Sequence, residues 1–296
     1  MQKSQLQSGM QLKTKRKNYM RVTTKLPLPP PLLKALTSDN YQRGDADITI
    51  TELCSAPHQR KLISKHWDSL VEEAGDRVWS LFGQAIHTIL ERAASQEYVV
   101  EKRLGWTVDD WMVSGQIDVY EPTSQRLSDY KVTSVWSVKD YSFKPEWELQ
   151  ANCYKWLLSQ NGDEVKELQV VALLKDWSRG ELRRRGEGYP EHPIAIRRIP
   201  IWSEEETYNY IRDRILLHKM QKPPICTPEE RWDKPTTWAV KSKTRKTAKR
   251  VLHSKIDAEK WMKSNGGDYI EERPGESVRC QSYCPVKEHC EYGSKL

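Results

Sequence analysis

Apolar positions recur at helical spacing through residues 72–95, where Val78, Leu81, Phe82, Ala85, Ile86, Ile89 and Leu90 mark one face. The pattern then changes to three β-like runs at 98–106, 110–120 and 126–133. Their short, turn-rich separators at 105–109 and 121–125 predict an antiparallel meander. Upstream, residues 47–66 begin with β-branched side chains and turn helical from Thr51. Pro145 opens another helix and Gly162 follows its end, which places Gln150 and Tyr154 one turn apart on one face. The segment LQVVALLKDW is nearly continuously apolar, as in a strand covered on both sides. A hairpin-like arm is expected from Arg183, Arg184 and Arg185 to Ile201, and Ser203 with Glu206 reads as a capping box for a helix to about Met220. This alternation predicts an α/β fold with helices flanking a mixed sheet.

The chain has 296 residues, long enough for a real core, and no apolar run near the roughly 20 residues of a membrane span. Twelve Trp and 13 Tyr argue against disorder. The net charge of +7 has one source: residues 1–25 carry seven Lys and Arg and no acid, so residues 26–296 balance at 41 of each sign. That arm has no apolar core with a small-residue cleavage site, so an intracellular, cytoplasmic protein is expected. The arm is either a solvated terminus or a phosphate-seeking extension. Pro27, Pro29, Pro30 and Pro31 read as a stiff extended linker, giving an arm and linker at 1–46, a core at 47–222 and a C-terminal module at 223–296. That module holds a basic run at 241–250, an amphipathic helix at 256–263 and a cysteine-rich end.

The chemistry-bearing residues lie in the meander. Asp129 and Lys131 are two apart on one strand and share a face. If the preceding strand returns through 121–125, Asp118 falls beside Asp129. Two neighbouring carboxylates on apolar strands repel unless a divalent cation lies between them, and magnesium needs only a few such oxygens. Such an ion polarises a phosphodiester and acidifies a bound water, while a lysine orients the water or stabilises developing charge.

In order along the chain stand His87 in GQAIHTIL, Gly115-Gln116-Ile117-Asp118, Asp129-Tyr130-Lys131, and Gln150 to Tyr154 in LQANCY. Over roughly residues 50–175 this series resembles the PD-(D/E)XK nuclease superfamily, and more closely its RecB-like branch of phage-type and CRISPR-adaptation exonucleases. The resemblance implies a restriction-endonuclease-like core with Mg²⁺ or Mn²⁺ on Asp118, Asp129 and His87. Lys131 would be the catalytic lysine, with Gln150 and Tyr154 touching phosphate or bracing it. Imidazole suits manganese better than magnesium. Glu101 is a possible further carboxylate, equally open to being solvent-exposed.

Cys280, Cys284 and Cys290 fall within one eleven-residue stretch near the C-terminal end and call for a fourth ligand. Without export signals, clustered thiols read as metal ligands rather than disulfides. Cys226 is preferred as the fourth because it opens the same module; Cys54, Cys153 and His289 are alternatives, although Cys153 fits plain core. The layout is similar in outline to the iron–sulfur clasp of the RecB-like branch, and Zn²⁺ suits four thiolates equally.

The expected activity is therefore metal-dependent exonucleolytic hydrolysis of DNA, acting on linear ends in phage or mobile-element replication, recombination or repair. A partner protein from those processes is possible. Two alternatives stay open: a structure-specific or nicking endonuclease on the same fold, and a non-catalytic DNA-binding or assembly protein.

Overall fold

A computed structural model describes residues 21–38 and 44–296. Lys3, Lys13, Lys15, Arg16 and Lys17 of the basic arm lie outside the described residues. The arrangement is mixed α/β, with several sheets flanked by helices.

At the start, β1 (Arg21–Thr23) pairs in parallel with β3 (Val71–Glu73), and α1 (Pro30–Thr37) follows β1. The stiff extended linker is thereby corrected. Prolines at the first helical turn cost no hydrogen bond, and Leu36 provides a buried anchor, so Pro30 and Pro31 begin a helix instead. Next, β2 (Ile48–Thr49) runs directly into α2 (Ile50–Leu53), where Thr49 and Glu52 form a capping box. Helix α3 (Pro57–His66) follows, and a short 3₁₀ turn after β3 leads into α4 (Val78–Ala93). The helical periodicity thus begins at Val78 rather than near residue 72.

The meander is built as β4 (Val99–Val100), β5 (Arg103–Val108), β6 (Trp111–Gln116), β7 (Val119–Glu121) and β8 (Arg126–Thr133). Two of its runs break in the middle, between β4 and β5 and between β6 and β7. Hydrogen bonds from Glu101 N–H to Asp118 O (3.0 Å) and from Ile117 N–H to Lys102 O (3.0 Å) carry the pairing across the break. The two halves therefore belong to different sheets, a three-stranded sheet of order β2-β6-β5 and part of a five-stranded one.

The five-stranded sheet is completed by α5 (Pro145–Gln160), β9 (Glu167–Leu174), α6 (Arg179–Arg185) and β10 (Ile194–Ile199), in the order β10-β9-β8-β7-β4. Within this sheet only β8 and β9 pair in parallel, with α5 as their crossover. On β9 the residues Leu168, Val170, Ala172 and Leu174 are buried while the alternate positions are partly open, so the strand is less enclosed than its composition suggests. Arg183–Arg185 are helical rather than part of a hairpin arm: Ser178 caps the N-terminus, and Glu181 pairs with Arg184 and Arg185 one turn on. Helix α7 (Glu204–Lys219) starts at the Ser203 cap, buries Ile211 and Ile215, and packs against α5 and α3.

Beyond residue 223 come α8 (Pro228–Arg231), β11 (Asp233–Lys234), β12 (Thr237–Lys241), β13 (Arg250–Leu252), α9 (Lys255–Asn265), β14 (Tyr269–Arg273), β15 (Glu276–Ser277) and α10 (Val278–Ser282). Strands β13-β12-β14 form a small antiparallel sheet under α9, with the 241–250 basic run in its connecting loop. No helix among the described residues is long and apolar enough to cross a membrane.

Candidate active site

An open cleft of about 850 Å³ lies where the meander breaks, lined by residues of α2, α4, α5, β6 and β8. All six residues singled out from the motif series, His87, Asp118, Asp129, Lys131, Gln150 and Tyr154, face it.

The register explains how the carboxylates meet. Strand β7 pairs with β8 so that Val119 opposes Ser128, which sets Asp118 against Asp129 across the sheet. Asp118 Oδ2 accepts the Tyr130 N–H at 2.6 Å, and its Oδ1 lies 3.6 Å from His87 Nδ1. Burial, aided by the charge of Asp129, pushes the Asp118 pKa up to about 7, against the opposing pull of His87 and Lys131. This carboxylate is poorly solvated and lacks a full counter-charge.

Glu101 is the residue that pattern reasoning left uncommitted. It sits in the break between β4 and β5 with φ +48°, a left-handed conformation uncommon for a non-glycine residue. That turn swings its carboxylate into the cleft, where Oε1 meets His87 Nδ1 at 3.0 Å and Oε2 accepts from Gln116 Nε2 at 2.7 Å. Gln116 is itself held by Arg103 Nη2 at 2.8 Å. Burial would raise the Glu101 pKa, but the hydrogen bonds from His87 and Gln116 outweigh it and bring it below the usual carboxylate value. The hydrogen bond to Glu101 raises the pKa of His87, with Asp118 helping and burial opposing. His87, Glu101 and Asp118 each offer a ligand atom within 4.8 Å of the others, a group able to hold a metal ion.

Asp129, an expected metal ligand, lies outside that three-residue group and faces Lys131. Lys131 Nζ lies 2.9 and 2.8 Å from its two oxygens, and Oδ2 is buried without an aligned hydrogen bond. Burial works against the Lys131 ammonium, but the charges of Asp129 and Asp118 outweigh it and hold the pKa above the ordinary lysine value. Gln150 Oε1 also receives Lys131 at 3.1 Å, and Gln150 Nε2 lies 3.1 Å from Tyr154 OH and 3.2 Å from Thr51 Oγ1. Burial, reinforced by Asp129 and Asp118, raises the Tyr154 pKa, so the phenol stays protonated. The tyrosine ring explains Gly115: a Cβ there would come within 2.5 Å of Tyr154 Cε1 and 2.9 Å of Ile50 Cγ1.

The cysteine expectation is corrected in part. Cys226, Cys280, Cys284 and Cys290 do line one pocket, but its volume of about 20 Å³ suits a single water-sized body. No three cysteine sulfurs among the described residues lie within 4.8 Å of one another. Tetrahedral zinc, with Zn–S bonds near ~2.3 Å, needs its sulfurs closer than that. The donors as arranged do not meet the zinc spacing, and no cysteine cluster of that closeness among the described residues stands for an iron–sulfur group. Side-chain contacts close this corner instead: Gln59 Nε2 donates to Cys284 Sγ at 3.4 Å, Arg279 Nη2 donates to Gln59 Oε1 at 2.7 Å, and His66 stacks on His289 at 3.8 Å. His58, missed in the sequence, reaches Pro223 O (3.1 Å) with Nδ1 and Cys290 Sγ (3.7 Å) with Nε2. Cys54 and Cys153 sit elsewhere, against one another beside Tyr210, and Cys153 is fully buried.

No protein-family model and no curated protein matches this chain. Solved structures that resemble it distantly include two described by name. The crystal structure of SSO0001 is 18% identical with a TM-score of 0.42, covering 63% of this chain and 84% of its own. A phage-related exonuclease from Haemophilus somnus 129PT is 13% identical with a TM-score of 0.33, covering 62% and 87% respectively. Both scores fall below 0.5, so the functional reading rests on the cleft itself.

Proposed function

We propose that the protein is a divalent-metal-dependent nuclease that hydrolyses DNA, with exonucleolytic attack on a strand end as its mode. The observation that carries this reading is the meeting, in one cleft, of the His87–Glu101–Asp118 donor group and the Asp129–Lys131–Gln150 chain.

The donor set fits Mn²⁺ or Mg²⁺: two carboxylates and one imidazole, with the under-compensated Asp118 carboxylate between them. A bound ion would polarise the phosphodiester and acidify a water molecule. The protein's own residues do the positioning. Tyr130 N–H ties back one oxygen of Asp118 and leaves the other toward His87. Gln116 braces Glu101 in the same sense. Asp129 and Gln150 fix the Lys131 ammonium at the cleft wall, where it can stabilise negative charge developing on the phosphoryl oxygens. Tyr154, seated on Gly115, holds Gln150.

The test is release of nucleotides from end-labelled linear DNA with Mn²⁺ or Mg²⁺, compared with Asp118→Asn and Lys131→Ala. Loss of release in both variants supports the assignment; equal activity in either variant and wild type sinks it. Covalently closed circular DNA in parallel separates end-directed attack, which leaves circles intact, from endonucleolytic cleavage.

A further inference from the structure

Next to the cleft, aromatic rings stand in water with cations against them. On α4, which also carries His87, Trp79 and Phe82 are half exposed and stacked at 5.7 Å, and Lys175 Nζ sits 3.4 Å from the Trp79 ring centre. The Lys175 N–H binds Thr133 O, two residues beyond Lys131 on β8. Just past that strand end, Trp136 is 56% exposed, with Arg185 at 4.7 Å and Lys139 at 6.0 Å from its ring. Tyr141 is 77% exposed, with Arg197 at 5.8 Å. Along residues 175–185 five Lys and Arg outnumber two acids.

This display is built. Asp140 and Tyr141 both take left-handed φ, +56° and +60°, which non-glycine residues seldom do consecutively. Asp140 N–H is fastened to Gly188 O at 2.9 Å, and Arg197 clamps the loop through Val138 O (2.7 Å) and Ser142 O (3.1 Å). A Cβ on Gly188 would collide with the Asp140 side chain. Strained backbone held in place by its surroundings clusters at functional positions, and here its effect is to hold a tyrosine out in solvent.

We propose that this strip is a platform for single-stranded nucleic acid leading to the cleft. Bases stack on Trp136 and Tyr141, Trp79 and Phe82 border the cleft entrance, and Lys175 and Arg183–Arg185 face the phosphates. Exposed rings interleaved with cations suit that ligand, because every base has a stacking face and every link a negative charge. A duplex offers stacked bases no route to these rings. The proposal deepens the nuclease reading by naming its substrate class.

The test measures fluorescence anisotropy of the full chain in EDTA. Fluorescein-labelled oligothymidylate of about 20 nucleotides is compared with a blunt duplex of the same length. The double variant Trp136→Ala/Tyr141→Ala is expected to weaken oligothymidylate binding by about tenfold or more, with duplex binding changed by less than about twofold. Gly188→Ala, which keeps both rings but displaces the loop, is expected to weaken it in the same direction, and Tyr141→Phe to preserve it. Arg183→Ala/Arg184→Ala should flatten the salt dependence by about 0.7 in log–log slope for each phosphate no longer neutralised. The platform is overturned if wild type does not bind oligothymidylate, if the double aromatic variant binds it unchanged, or if duplex binding falls equally. Because no cleavage is measured, a wild type that binds through these rings yet never hydrolyses DNA refutes the nuclease reading alone.

Discussion

Two polar clusters drew attention in the sequence, and the fold treats them in opposite ways. In the cleft, donor atoms from α4, the β4–β5 break and the β6–β7 break come within 4.8 Å of one another, although this costs a buried carboxylate and a left-handed glutamate. In the C-terminal pocket four cysteines line one space with no three of their sulfurs within 4.8 Å of one another, and neighbouring side chains pack and hydrogen-bond around them. Like charges held together against their own repulsion imply a ligand, whereas thiols tolerate burial as small apolar groups. Shared proximity in sequence therefore carries different weight for carboxylates and for cysteines.

The largest expected contrast comes from breaking each cluster in turn. Lys131→Ala or Asp118→Asn should lower hydrolysis by about a thousandfold or more, since charge stabilisation and metal chemistry are lost. Glu101→Gln should weaken Mn²⁺ binding by roughly tenfold to a hundredfold, read by titration of metal-dependent activity or by calorimetry. An unchanged affinity would return the metal to Asp118 and Asp129 and remove Glu101 from the set.

A pH series sharpens the same point. The folded pKa of Asp118, about 7, lies above its unfolded value of 3.8. Its contribution to the stability of the metal-free protein is therefore full below pH 4 and lost as pH rises through 7, a change of a few kcal/mol. Mn²⁺ binds the ionised form, so the gain in Tm on adding Mn²⁺ should be larger at pH 8 than at pH 6, and Asp118→Asn should abolish the difference. His218 has the opposite sign. Burial, against a hydrogen bond to Leu53 O, pushes its pKa down to about 4, so its contribution is lost as pH falls from 6.5 to 4. Acid destabilisation should thus emerge more clearly in the Asp118→Asn variant.

Gly115→Ala should cost about 1–3 kcal/mol in urea unfolding, through the clash with Tyr154 and Ile50. The smallest effect is expected at the other cluster: Cys284→Ser should leave hydrolysis within about twofold of wild type, because only the hydrogen bond from Gln59 changes. A collapse of that variant, with loss of bound metal by elemental analysis, would reverse the contrast drawn between the two clusters.

Much of this was legible in sequence because it depends on period. Alternation located β8, so Asp129 and Lys131 shared a side; Pro145 and Gly162 framed α5, so Gln150 and Tyr154 did too. The short 121–125 turn brought Asp118 to Asp129. Glu101 was legible only as a possible further carboxylate, because its place in the cleft depends on a left-handed φ that no residue pattern announces. Pro30 and Pro31 misled because the same residue suits both an extended linker and a first helical turn. Arg183–Arg185 read as part of a hairpin-like arm because the cap at Ser178 and the pairing to Glu181 outweigh the charge run only once the helix has formed.

The Gln150 side chain adds a consequence of its own. Its amide has a direction: the nitrogen is committed to Thr51 and Tyr154, so the oxygen must face Lys131. Reversing it would set two donors against each other. The network thus accepts a proton-bearing amine at position 131 and has no donor to offer a neutral one. Lys131 is thereby held as a cation, so in the proposed nuclease it would act through its field rather than as the base that activates water.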